Sequence, residues 1–381
     1  MSKLGDFIRV KHGWAFKGEY FANEGYQSIL TPGNFYEKGG FRPNDGKERY
    51  YVGEYPPEYL CKKGDLIVAM TEQAAGLLGS TAIVPEDNKY LHNQRIGLIT
   101  FDEERIDKYF LYYLFMTKSV RKQIRGSSSG TKVKHTSPEK ICDVNVDIPD
   151  ISTQRRIGAL LWMIDSQIIR NNQIIAELEE LIDVIYDYKY LQFRNIMEES
   201  DKDLPNGWKQ CKVAELLDVV TGKEDANFSE EDGKYKFFTC AQETSRCNEA
   251  AFNGKAILIA GNGDFSVKHY SGEFNAYQRT YVLIPRNEAY FGLVYMAAKN
   301  KIKAFKMGSN GSIVKFITKG DVENIIVNVP KDENELQELN LILTKIESIE
   351  KRNEELENII GLLLPMLMNG QITITDKDID K

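Results

Sequence analysis

The feature that most constrains this chain is that its plan is written twice. Lys3-Leu4-Gly5-Asp6-Phe7-Ile8-Arg9-Val10-Lys11-His12-Gly13 resembles Lys212-Val213-Ala214-Glu215-Leu216-Leu217-Asp218-Val219-Val220-Thr221-Gly222 at an offset of 209. Gln94-Arg95-Ile96 matches Gln278-Arg279-Thr280 at 184, and Asp147-Ile148-Pro149 matches Asn328-Val329-Pro330 at 181. The matches keep their order while the offset falls, so one design is used twice and the first copy carries 28 more residues in its loops. Each copy opens with a part of mixed character. Gly64-Asp65-Leu66-Ile67-Val68-Ala69 and Lys255-Ala256-Ile257-Leu258-Ile259-Ala260 read as equivalent strands. A helix follows, predicted over Lys108 to Ile124 and Ala289 to Met307, then a Gly/Ser loop, a strand and a Pro. Leu204-Pro205-Asn206-Gly207-Trp208 punctuates the restart.

Each copy ends in a long helix. Ile157, Leu161, Ile164, Ile168, Asn171, Ile175, Leu178, Ile182 and Ile185 keep an unbroken 4-3 spacing. Leu339, Ile342, Ile346, Ile349, Asn353, Leu356, Ile360, Leu363 and Leu367 repeat it closely. A sustained 3.5-residue period means a coiled-coil seam. Pro365 is expected to kink or end the second helix, which makes Leu367 the least secure seam member. Asn171 and Asn353 are the midpoints of their seams, so an antiparallel pair with pseudo-twofold symmetry brings their amides together and fixes the register. The fold class is therefore mixed α/β (α+β). Two globular domains, 1–149 and 202–330, are joined by two long antiparallel helices within 150–201 and 331–381, the latter with a C-terminal tail.

Composition narrows the function. With 42% hydrophobic residues the chain can build real cores. Its start has no signal-peptide pattern, and no apolar run approaches the roughly 18 residues of a membrane span. Five scattered cysteines, none spaced Cys-x-x-Cys, argue against a disulfide framework or a structural zinc and fit a reducing cytoplasm. The net charge of −7 is unevenly placed. Segments 150–201 and 331–381 hold 11 basic and 22 acidic residues, which leaves the rest of the chain at +4. The acidity belongs to the helices and does not exclude DNA binding by the globular parts.

Motifs for catalysis are missing. There is no P-loop and no Asp/Asn-Pro-Pro-aromatic methyltransferase motif; Tyr55-Pro56-Pro57-Glu58 is a superficial echo. Gly261-Asn262-Gly263 lacks the third glycine of a dinucleotide fingerprint and reads as a turn. His12, His92, His135 and His269 have no metal spacing, although His135 lies near lysines that could meet phosphate.

Cationic helix faces recur at one place in both copies. Lys118, Arg121, Lys122 and Arg125 share a helical face, followed by Gly126-Ser127-Ser128-Ser129-Gly130 and then Lys132 and Lys134. Lys299, Lys303 and Lys306 share a face, followed by Gly308-Ser309-Asn310-Gly311-Ser312 and Lys315. Cations displace counterions, small residues let backbone N–H groups approach, and Ser127, Ser128, Ser129, Ser309, Asn310 and Ser312 add polar groups, so these are expected phosphate contacts. A solvated helix face is the plain alternative for either copy alone; recurrence favours the phosphate reading. Gln94, Arg95, Gln278 and Arg279 are candidate base readers, since such side chains suit purine edges; domains that read different sequences should differ where they read, so recurrence favours shared scaffold residues.

Three segments carry a family resemblance that covers almost the whole chain. Asp147-Ile148-Pro149 followed by Gln154-Arg155-Arg156-Ile157-Gly158 resembles the helix start of type I restriction–modification specificity subunits. Leu363-Leu364-Pro365-Met366-Leu367-Met368-Asn369-Gly370-Gln371-Ile372 resembles that helix's exit, and Leu204-Pro205-Asn206-Gly207-Trp208 the start of a second recognition domain. Two departures stand out: Leu336-Gln337-Glu338-Leu339 lacks the Gln-Arg pair, and Tyr190-Leu191-Gln192-Phe193 lacks the Gly. The resemblance implies two target recognition domains that read a bipartite double-stranded DNA target. It implies two modification subunits, which methylate adenine with S-adenosylmethionine, and restriction subunits, which use ATP and Mg. The chain itself then carries no cofactor or metal, makes no membrane contact and is non-catalytic. A helical-spacer protein-binding adaptor and an orphan DNA-processing enzyme stay open as alternatives.

Overall fold

The structure, a computed structural model, describes residues 1–44, 46–72, 76–192, 204–307 and 316–374, the side chains of Lys306 and Met307 excepted. The chain divides into two units, residues 1–168 with 355–381, and residues 169–354.

In the first unit an antiparallel sheet runs in the order Ile8–His12, Ile96–Phe101, Leu66–Ala69, Thr81–Ile83. Strand side chains alternate between faces. Leu66 and Val68 join one cluster with Phe110, Leu111, Tyr113 and Phe115 of the helix Lys108–Met116. Ile67 and Ala69 join another, with Leu30, Phe35 and Tyr90. Burial on both faces explains why this strand is an unbroken apolar run. A smaller sheet runs in the order Phe21–Ala22, Tyr50–Tyr51, Ser28–Ile29, Tyr90–Leu91.

The second unit has a sheet ordered Leu217–Thr221, Thr280–Pro285, Phe252–Ala260, Val267–Ala276, Tyr235–Phe238, Ser245–Cys247. Its inner strands repeat the first unit in register. Gly97 faces His12 as Tyr281 faces Thr221, and Leu98 faces Ile67 as Val282 faces Leu258. Ile257 and Ile259 pack on the helix Phe291–Met307, whereas Ala256 and Leu258 pack on Phe238 and Phe274.

The predicted helix over Lys108 to Ile124 is in fact two helices, Lys108–Met116 and Lys118–Ser127. Thr117 is extended, at φ −65° and ψ 142°, and its side chain caps the second helix by accepting from Val120 N. A β-branched capping residue there ends one helix and starts the next.

The long helices are Ile151–Tyr186, continued by a π-helical turn over Asp187–Leu191, and Gln337–Met368. The first is started by Asp150, whose carboxylate accepts from the backbone N–H and hydroxyl groups of Ser152 and Thr153. Burial of Gln154 explains the motif at this start. Its Oε1 accepts from Asp107 N at 2.9 Å while Nε2 donates to Pro149 O and Arg105 O. One turn on, a Cβ at Gly158 would lie 2.4 Å from Asp107 Oδ1, so glycine lets the shorter helix dock. In the second unit the fully buried Leu336 stands where Gln154 does. Close approach there falls on the other helix: Gly292 N donates to Asn340 Oδ1 at 2.8 Å, and a Cβ on Gly292 would lie 2.9 Å from the Leu339 Cβ.

Pro365 does not end the second helix early; the helix runs through it to Met368, and Leu367 is buried with Ile157 and Leu161. Proline in the last turn forgoes one helical hydrogen bond, and burial of Leu367 offsets that loss. Gly370, at φ +71°, then closes the helix in the left-handed conformation.

Candidate nucleic-acid interface

Lys118–Ser127 forms the expected helix, but its four cations do not share one environment. Lys118 and Lys122 are exposed. Arg121 turns inward. Its Nε donates to Phe115 O at 2.8 Å, Nη1 to Gly76 O and Leu78 O, and Nη2 to Glu37 O at 3.0 Å. Burial draws its guanidinium down to about 10, against the pull of Glu72, Tyr112 and Glu37. It clamps loop backbone and is not a solvent-facing phosphate group, which corrects its placement on the cationic face. Half-exposed Arg125 lies 3.6 Å from the buried carboxylate of Glu72. Helical periodicity alone placed both arginines outward; the carbonyls and the carboxylate that hold them come from distant chain segments.

The loop that follows is also partly engaged. Ser127 Oγ donates to Ile124 O and Ser128 Oγ to Arg125 O, so both hydroxyls satisfy helix-end carbonyls. Ser129 and His135 exchange backbone hydrogen bonds at 2.9 Å, which closes a hairpin over Lys132 and Lys134. Lys132 is exposed, whereas Lys134 is half-buried in a strand paired with Thr71–Glu72. His135 Nδ1 sits 3.1 Å from Thr71 Oγ1.

In the second unit Lys299 Nζ donates to Asp183 Oδ1 at 2.8 Å, so this cation is tied to the first long helix instead of standing free. Lys303 is exposed. The side chain of Lys306, and Ser309, Asn310, Ser312 and Lys315, lie outside the described residues.

Gln94-Arg95 and Gln278-Arg279 occupy the same place in both units, a tight turn leading into the strands Ile96–Phe101 and Thr280–Pro285. All four residues are exposed. Gln278 Nε2 donates to Asp225 Oδ1 at 2.6 Å. Beside the first turn, Trp14 packs at 5.3 Å from Tyr59, whose ring lies 4.2 Å below the Lys11 ammonium.

Within the second unit the two long helices run antiparallel: Lys189 pairs with Glu338 at one end and Asn171 with Asn353 at the other. Asn171 Nδ2 donates to Asn353 Oδ1 at 2.6 Å, and Asn353 Nδ2 donates to Asn172 Oδ1 at 2.9 Å. Both Asn171 and Asn353 are buried.

Sequence reading missed a second apolar stripe beside each seam. Leu181, Val184, Tyr188 and Leu191 are exposed at 3-4-3 spacing on the first long helix, in the second unit. Ile359, Leu362 and Met366 are exposed at 3-4 spacing on the second helix, in the first unit. The signal was present as apolar residues flanking the seam; only the fold shows that nothing within each unit covers them. Among the described residues no helix is long and apolar enough to cross a membrane, and no group of three or more His, Cys, Asp or Glu could hold a metal ion.

Residues 1–180 and 205–358 match the type I restriction modification DNA specificity domain. Over 180 residues the chain is 39% identical to the type I restriction enzyme EcoDI specificity subunit of Escherichia coli, covering 45% of this chain and 40% of that protein. The match thus spans less than half of that relative. Over 302 residues it is 21% identical to the type I restriction enzyme MjaIX specificity subunit of Methanocaldococcus jannaschii, covering 70% of this chain and 69% of that one. Its fold resembles the crystal structure of a type I restriction–modification system S subunit from M. genitalium, with a TM-score of 0.61 at 16% identity over 98% of this chain and 96% of the other.

Proposed function

The chain belongs to the type I restriction–modification DNA specificity family, and from that premise we propose that it is a non-catalytic subunit that reads a bipartite double-stranded DNA target. The observation that carries this reading is the in-register repeat: two units with one sheet plan, each joined to a long helix. A reader of two half-sites needs two heads on one frame. The recognition domains are residues 1–149 and 202–330, and the helices within 150–201 and 331–381 set their spacing.

Two modification subunits methylate adenine with S-adenosylmethionine, and restriction subunits use ATP and Mg; the chemistry and its cofactors belong to these partners in the cytoplasm. The exposed stripes Leu181-Val184-Tyr188-Leu191 and Ile359-Leu362-Met366 support docking of a partner at each, because apolar surface of this spacing suits an apposed helix. Lys118, Lys122, Lys132 and Lys303, exposed in the fold, remain phosphate contacts in this reading.

The test compares the full chain alone with the chain co-expressed with its modification subunit. The pure chain should bind duplex DNA with steep salt dependence and neither cut nor methylate it, while the co-expressed complex methylates adenine in a split target read by methylome sequencing. Methyl transfer or cleavage by the pure chain would overturn the reading.

A further inference from the structure

Three backbone hydrogen bonds of the first Gln-Arg turn recur in the second. Ile96 N donates to Asn93 O at 2.9 Å, and Thr280 N to Tyr277 O at 2.8 Å. Gln94 N donates to Trp14 O, and Gln278 N to Glu224 O. Met70 N donates to Arg95 O at 3.0 Å, and Gly261 N to Arg279 O at 2.9 Å. The crossing strand needs glycine in both: a Cβ on Gly13 would lie 2.0 Å from Asn93 O, and one on Gly222 2.0 Å from Ala276 O. Glycines and main-chain hydrogen bonds therefore hold these turns in shape.

The Arg side chains are not part of that support. A tight turn favours Pro, Gly, Asn, Asp or Ser for its backbone angles and asks for neither glutamine nor arginine. Arg95 and Arg279 are exposed, and neither guanidinium has a hydrogen-bond, ion-pair or ring partner among the described residues. The neighbours, by contrast, differ between the units. Trp14 stands where Glu224 does, since each bridges its own turn, and Asp225 holds Gln278.

Resting on the DNA-reading role proposed above, we infer that Arg95 and Arg279 are equivalent clamps for a DNA backbone phosphate and do not read bases. Two half-targets of different sequence share their phosphates and not their base edges. An arginine kept in both units, with no work to do in the fold, answers to the shared part. A rigid turn also presents the guanidinium at a fixed place, and its planar fork matches two phosphate oxygens. The grip sits at the end of each sheet, not on the helix face where Arg121 is already occupied.

Arg95→Ala, Arg279→Ala and the double variant of the full chain test this by fluorescence anisotropy. The probes are two labelled duplexes, one rich in A·T and one in G·C. Each lost phosphate contact should lower the slope of log affinity against log salt by about 0.9, and the double variant by about 1.8. Between about 50 and 200 mM salt, each contact accounts for a roughly 3.5-fold change in affinity. Both duplexes should lose affinity equally, and Arg95→Lys and Arg279→Lys should keep the slope because they keep the charge. A loss confined to one duplex would show base reading and overturn the clamp. Unchanged slopes, with association of the modification subunit lost instead, would assign the arginines to protein. A wild-type chain that binds neither duplex would refute the DNA-reading role itself, and the clamp with it.

Discussion

Replacing Asn353 by Leu removes the acceptor that the Asn171 amide uses across the seam. Asn171 and Asn353 are only 5% and 7% exposed, so water does not readily take the partner's place. A hydrogen-bond partner lost from a buried amide costs about 1–3 kcal/mol, and burying the new leucine contributes about 1.5–3 kcal/mol. The single variants should therefore lie near wild-type stability. Replacing both removes both amides and keeps two buried leucines, at the loss of two hydrogen bonds worth about 1 kcal/mol each net. The double variant should be about 1–4 kcal/mol more stable than wild type. With the singles near wild type, its excess over their sum should be of the same size, about 1–4 kcal/mol, since contacting residues couple. In a unit of this size each kcal/mol moves the melting point by roughly 2–4 °C. Stability gained this way costs register: an all-apolar seam fits nearly as well after a slip of one heptad, roughly 10.5 Å along the helix. Lys189 and Glu338 form an ion pair, so a carbodiimide joins them directly only in the native register. Mass spectrometry should show that crosslink in the wild type and less of it in the double variant, with new slipped or intermolecular products. Singles that each supply half of the double variant's gain would show that the amides do not act as a pair. An undiminished crosslink in the double variant would refute the register role.

Arg121→Ala should destabilise the first unit by about 3 kcal/mol in denaturant titration, because a charged donor to buried carbonyls is lost; a change within 0.5 kcal/mol, the usual range for a surface residue, would contradict the clamp role. Asp165 has its carboxyl raised above its ordinary value, chiefly by burial. A raised folded value means stability is greatest where the group is protonated in both states and is lost as pH rises through the folded value. Asp165→Asn should therefore raise the melting temperature more at pH 7 than at about pH 3.5, below the ordinary Asp value, and an equal gain at both would show that the charge is not the cause. Inserting one heptad into both long helices adds roughly 10.5 Å, about three base pairs of rise, and should lengthen or abolish the recognised gap; methylation at the original spacing would count against a ruler.

Much of this protein was legible in its amino acids because periodicity and repetition are properties of the chain itself. Matched segments at offsets 209, 184 and 181 are enough to show two copies, and a 3.5-residue repeat is enough to show two long helices. Polar residues at the seam midpoints could also be found by counting. What a side chain does once folded depends on groups brought from far along the chain. Arg121 looked like its neighbours Lys118 and Lys122 until the carbonyls of Glu37, Gly76 and Leu78 were placed around it. Lys299 looked free until Asp183 lay 2.8 Å away. Leu336 looked like a broken motif until burial showed an apolar residue filling the place that Gln154 fills by hydrogen bonding. Helical spacing sets which residues share a face, and local chemistry sets where a helix can start. Only tertiary packing decides whether that face meets water, a carboxylate or a backbone carbonyl, because those partners have no fixed distance from it in sequence.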